Sequence, residues 1–153
     1  MHAFSRRSFL LSSGSALIAV AVIPPASAGS SRVSTDAKGR AIRGYDTRAY
    51  WREAAAEEGT DAHTVTWNGA IWRFASPAEA ELFASDPGAY APRFGGFCTR
   101  AMSLKKVVDS DPTVWRIFDG GLYLFAQPRG GEKFDGNEAE MIARAQAFWD
   151  TLD

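Results

Sequence analysis

The chain has a single cysteine, Cys98, and two histidines, His2 and His63, among its 153 residues. One thiol excludes an internal disulfide, so the core must hold without that staple. The basic residues number 17 against 18 acidic ones, with no basic stripe, which excludes nucleic acid as a partner. Long hydrophobic runs are missing too. The one apolar stretch, residues 9–23, is softened by Ser12, Ser13, Gly14 and Ser15. It falls short of the roughly 20 residues that a membrane span needs. The glycine pairs Gly95-Gly96, Gly120-Gly121 and Gly130-Gly131 match neither a phosphate loop nor a dinucleotide fingerprint, and read as turns.

What stands at the N-terminus is an address. Ser5-Arg6-Arg7-Ser8-Phe9-Leu10 has the form of a twin-arginine export signal, Pro24-Pro25 ends the apolar run, and Ala26-Ser27-Ala28 offers small residues for cleavage. The expectation is a signal peptide over 1–28, a periplasmic or otherwise exported protein, and no stable membrane span after cleavage. Without Arg6 and Arg7 the 17 basic residues become 15 against 18 acidic ones, a net charge of −3.

Residues 29–40 are rich in serine and small side chains and read as a flexible lead. The domain is expected over 41–127. Asp46 is placed to cap a helix that begins with Ala49, Tyr50 and Trp51 and stops at Gly59. Residues 63–67 and 71–74 alternate on either side of Asn68-Gly69, a strong hairpin signal. Ser76-Pro77-Ala78-Glu79 supplies an N-cap, a proline at the first helical position and an acid at the third. A second hairpin, 114–118 with 122–125, turns at Asp119-Gly120-Gly121, and Arg129-Gly130-Gly131 follows as loop. Residues 128–153 supply that loop and a final amphipathic helix, with Met141, Ile142, Ala145, Phe148, Trp149 and Leu152 at helical spacing. The class is α+β: two antiparallel hairpins packed by short helices and a C-terminal amphipathic helix.

Several of these residues carry a family resemblance. Gly44-Tyr45-Asp46 with Ala49-Tyr50, the run Asn68-Gly69-Ala70-Ile71-Trp72-Arg73-Phe74-Ala75-Ser76, Leu82-Phe83 with Asp86-Pro87, and Phe94-Gly95-Gly96-Phe97-Cys98 form one set. With Asp119-Gly120-Gly121-Leu122-Tyr123-Leu124 they resemble the YHS-domain family of small exported bacterial proteins. The resemblance implies a binding module. Some members, in metal-transporting ATPases and metal sensors, carry cysteines around the first hairpin and are thought to bind metal. Here those places hold Thr66, Trp67 and Ala75, and only Cys98 remains.

Cys98 therefore has three readings. It packs as a small hydrophobe, or it ligates a soft metal ion, or it is a redox-active thiol. For the second, Met102 at i+4 makes a thiolate–thioether pair suited to copper, and His63 is a further candidate ligand for copper or zinc. The third would need His63 as its base, and no motif marks an oxyanion hole. Trp67, Trp72 and Trp115 fall in strands, as core or as an aromatic surface that docks a protein partner. The leading expectation is a binding module with a soft-metal site at Cys98.

Overall fold

Asn68 and Gly69 both take positive φ (50° and 73°), and so do Asp119 and Gly120 (46° and 69°). Two successive left-handed residues make the tight turn whose twist matches that of paired strands. These turns set the two hairpins. The computed structural model describes residues 32–152. Along them run α1 (Ala49–Arg52), β1 (Thr60–Trp67), β2 (Ala70–Phe74), α2 (Pro77–Ser85), α3 (Pro87–Tyr90) and α4 (Thr99–Ser103). Then come β3 (Asp111–Phe118), β4 (Gly121–Phe125), α5 (Pro128–Phe134) and α6 (Glu138–Trp149). β1 pairs antiparallel with β2, and β3 with β4, as two separate two-stranded sheets among the described residues. The α+β class holds. The export signal lies outside the described residues, among which no helix is long and apolar enough to cross a membrane.

The chain is the same unit twice. Thr60–Trp67 and Ala70–Phe74 recur 51 positions later as Asp111–Phe118 and Gly121–Phe125, and Pro77 recurs as Pro128. The register break between Thr60 and Thr64 recurs between Asp111 and Trp115. Upstream the offset is 52, because the second repeat is one residue shorter between the start of its first helix and its first strand, and Gly44-Tyr45-Asp46-Thr47-Arg48-Ala49-Tyr50 answers to Gly96-Phe97-Cys98-Thr99-Arg100-Ala101-Met102. Backbone pairing agrees: Asp46 N–H donates to Glu57 O, and Cys98 N–H to Val108 O. Even an oddity is shared, since Thr47 and Thr99 are both fully buried with hydroxyls that have no partner among the described residues. A hairpin alone cannot bury its apolar face, so each is backed by its own helix and the two units share a seam.

Three apolar clusters follow from this. The first repeat closes around Trp72, Phe74 and Phe83, whose rings lie 5.0–5.1 Å apart in the pairs with Phe83. The second closes around Phe125, Phe134, Met102 and Cys98, with Met141 and Ala145 of α6 laid over it. Ile42 and Tyr50 from one repeat meet Leu122 and Leu124 from the other at the seam. Tyr50 donates from its hydroxyl to Pro112 O at 2.8 Å, tying the repeats by a buried hydrogen bond. Burial pushes that phenol well above the usual tyrosine range. Tyr50→Phe should cost about 1 kcal/mol, read as a lower urea midpoint at unchanged m. A midpoint equal to wild type would mean that Pro112 O finds another donor.

Three local expectations are corrected. Residues 32–40 are not a loose lead: Val33 and Ser34 are buried, Ser34 N–H donates to Gly95 O, and Thr35 bridges Ala41. The helix after Asp46 does not reach Gly59. It ends at Arg52, and Ala54 turns left-handed at φ 50°. Asp46 accepts from the Arg48 N–H and also from the Ala75 N–H at the end of β2. Finally, Gly130 and Gly131 lie inside α5 and not in a loop. Pro128 starts that helix, and a Cβ at Gly130 would meet the Phe125 side chain at 3.1–3.4 Å, so these glycines serve close packing.

Candidate functional site: the Cys98 cleft

The cysteine segment is shaped by the turn ahead of it. Phe94, Gly95 and Gly96 all adopt positive φ, and a Cβ on Gly95 would lie 1.8 Å from Arg32 O. Only glycine fits there. The chain then pairs Cys98 with Leu124 of β4 by a parallel bridge and enters α4 with Cys98 as its cap, Sγ accepting from Ala101 N–H at 3.4 Å. Cys98 is 5% exposed and belongs to the core cluster, yet it also forms part of the wall of a cleft of about 200 Å³.

That cleft has a definite chemistry. Ala101, Leu104 and Ala126 make an apolar floor beside the thiol, and Arg100, Lys106, Gln127 and Arg129 stand around it. No carboxylate lines it, and none of the three cations makes an ion pair among the described residues. Three like charges around a small apolar concavity raise the local concentration of anions and oppose the entry of cations.

The expected ligand set is not brought together. Met102 is fully buried in the core behind Cys98 and does not line the cleft. The i+4 spacing does place it on the same helix, but at the start of α4 the thiol turns to its own helix N–H while the thioether fills the interior. His63 lies on β1, in the hairpin that packs on α2 and the Trp72 cluster, and takes no part in the Cys98 cluster. Among the described residues no three His, Cys, Asp or Glu side chains converge as a metal site would require. One donor inside a ring of cations does not suit copper or zinc.

The tryptophans are also placed. Trp72 is buried, Trp67 packs on Trp72 and Phe83, and Trp115 meets Tyr50 edge to face at 5.3 Å. The most exposed large apolar residues are Leu104, Val107 and Val108, so the strand tryptophans serve mainly as core. A larger cleft of about 300 Å³ runs beside Arg32, Trp67, Asn68 and Trp149. Arg32 there is already engaged, donating to Trp149 O and stacking 4.2 Å over its ring.

Reading by residue type found Cys98 and missed Arg100, Lys106 and Arg129. The signal that could have found Arg100 was present in the sequence: Asp46-Thr47-Arg48-Ala49 set beside Cys98-Thr99-Arg100-Ala101 shows a repeated arginine two positions after an exchanged residue. Arg129 and Lys106 become site residues only when β4, α5 and the loop after α4 close on the thiol. No family model, no curated protein and no solved structure matches this chain.

Proposed function

We propose that this protein is an exported, YHS-like binding module with no catalytic role, whose ligand enters the Cys98 cleft. The observation that supports this reading most directly is the cleft itself, a thiol and an apolar floor ringed by three cations with no carboxylate partner. The twin-arginine motif and the sequence resemblance support the address and the class. A small concavity with convergent polar groups is the form a ligand site takes, and about 200 Å³ admits only a small molecule. Copper or zinc at Cys98 would have to draw its remaining donors from outside the chain. Stoichiometric copper or zinc in the protein purified from its own compartment, lost in Cys98→Ser, would restore the metal reading.

The polarity of the cleft can be read through the thiol. Cys98 is the only cysteine, so every mixed disulfide reports on this one site. A methanethiosulfonate reagent is attacked by the thiolate at its sulfenyl sulfur. The new S–S bond forms as methanesulfinate leaves, taking the electron pair of the broken bond. The anionic 2-sulfonatoethyl reagent should react about tenfold faster than the cationic trimethylammonioethyl reagent, each rate normalised to free cysteine. The preference should fall towards unity in 1 M salt, where charges a few ångströms apart are screened. Equal normalised rates at low salt, or no reaction with either, would overturn the cleft as an anion-attracting site.

A further inference from the structure

The first repeat shows what the second repeat's cleft lacks. At the position of Cys98 the first repeat has Asp46, fully buried. Its Oδ1 accepts from Arg48 N–H at 2.8 Å, its Oδ2 accepts from Ala75 N–H at 2.9 Å, and Arg52 lies 3.8 Å away. Glu79, on the first turn of α2, completes the group by pairing with Arg48 at 3.1 Å and Arg52 at 3.3 Å. Arg52 pairs with Glu53 at 2.9 Å and Glu57 at 3.3 Å as well, so both guanidiniums of the first repeat are met by carboxylates of the same repeat.

In the second repeat the scaffold is kept and both carboxylates are gone. Asp46 corresponds to Cys98 and Glu79 to Gly130, while Arg48 corresponds to Arg100. Glu53, which closes α1, corresponds to Leu104, which closes α4, and Ala78 becomes Arg129. Ala126 stands where Ala75 donates its N–H to the carboxylate, and it lines the cleft together with Cys98 and Gly130. With Lys106 added, a cluster whose guanidiniums are all paired has become a cleft carrying three positive charges that are unpaired among the described residues.

We infer that the Cys98 cleft binds a small dicarboxylate, whose two acid groups supply the negative charge that Asp46 and Glu79 supply in the first repeat. One carboxylate lies beside the Cys98 Sγ, towards Lys106 and Gln127. The other faces Arg100 and Arg129, as Glu79 faces Arg48 and Arg52. The short carbon chain between them rests on Ala101 and Leu104. Bidentate guanidinium–carboxylate pairing supplies orientation, and the apolar floor limits the length of the chain. The inference rests on the binding-module reading and adds to it the class of ligand.

The test is titration calorimetry of the full exported chain with succinate, acetate and inorganic phosphate at low salt. Succinate should bind, with acetate at least tenfold weaker and phosphate weaker than succinate. Arg129→Ala, an exposed change that spares the core, should weaken succinate at least tenfold. Cys98→Asp, which gives the second repeat the first repeat's carboxylate, should abolish succinate binding and raise the thermal midpoint. Phosphate or acetate binding as tightly as succinate would overturn the dicarboxylate. So would no succinate binding at all, or an Arg129→Ala variant that binds it unchanged. If the anionic thiol reagent is still preferred while succinate fails, only the ligand class falls. If that preference is absent too, the cleft reading falls with it.

Discussion

Asp46→Ala should destabilise the protein by about 3–5 kcal/mol, the largest loss expected of any single polar residue. The Asp46 side chain has no solvent exposure, and its two oxygens hold the N–H of Arg48 at the start of α1 and the N–H of Ala75 at the end of β2. Truncation strands both donors and leaves Arg52 and Glu79 to rearrange. Because one carboxylate joins the short helix to the hairpin, its loss uncouples the start of α1 from the end of β2. Asp46→Asn keeps one acceptor oxygen and presents an amide N–H₂ to the other donor, so it should lose roughly half as much. Urea unfolding at constant m checks both. A loss below about 1 kcal/mol for the alanine variant would show that water reaches those donors, and that the group is not the sealed cluster the geometry describes.

The second large effect is expected at Gly59. A Cβ there would come within 2.3 Å of Arg73 C and 2.5 Å of Arg73 O and Phe74 N, all backbone atoms of β2. Flexible side chains can move aside, but backbone in a paired strand cannot shift without breaking its ladder. Phe74 is fully buried in the Trp72 cluster, so the strain passes directly into the core. Gly59→Ala should therefore cost about 3 kcal/mol, at the upper end of overpacking. Gly120→Ala is the matched control. Nothing lies within 4 Å of its Cβ, and only the left-handed backbone at φ 69° resists it, a cost of about 1 kcal/mol. Comparable midpoints for the two variants would mean that β2 yields to the added carbon. The second repeat carries Ser110 at the corresponding place, where its hydroxyl donates to Gly96 O at 2.6 Å. In that repeat the extra atoms are used as a tie.

The legible parts of this chain were those governed by neighbours in sequence. Asn68-Gly69 and Asp119-Gly120 encode turns through backbone sterics alone, and Ser76-Pro77 encodes a helix start, with Ser76 Oγ accepting from Glu79 N–H. The closing helix was legible because its apolar residues recur at helical spacing, and it runs as Glu138–Trp149. Where composition was read without partners, the expectation failed. Gly130-Gly131 resembles a loop until the Phe125 ring and the Arg116 guanidinium are set against it. Met102 resembles a ligand until the core needs a filler behind Cys98.

The doubling of one unit emerged from the strand registers, while by itself the sequence determined the α+β class, the hairpin positions and the single thiol at a helix start. These are local or periodic properties, carried by steric and hydrophobic patterns along a few tens of residues. Tertiary structure alone decided that Asp46 is sealed by Ala75, that Cys98 borders a cleft, and that Arg100, Lys106 and Arg129 ring it without a counter-charge. Electrostatic and packing energies depend on distance in space, and the residues that set them come from segments about thirty positions apart. The same local motif thus became a closed ion cluster in one repeat and an open cationic cleft in the other.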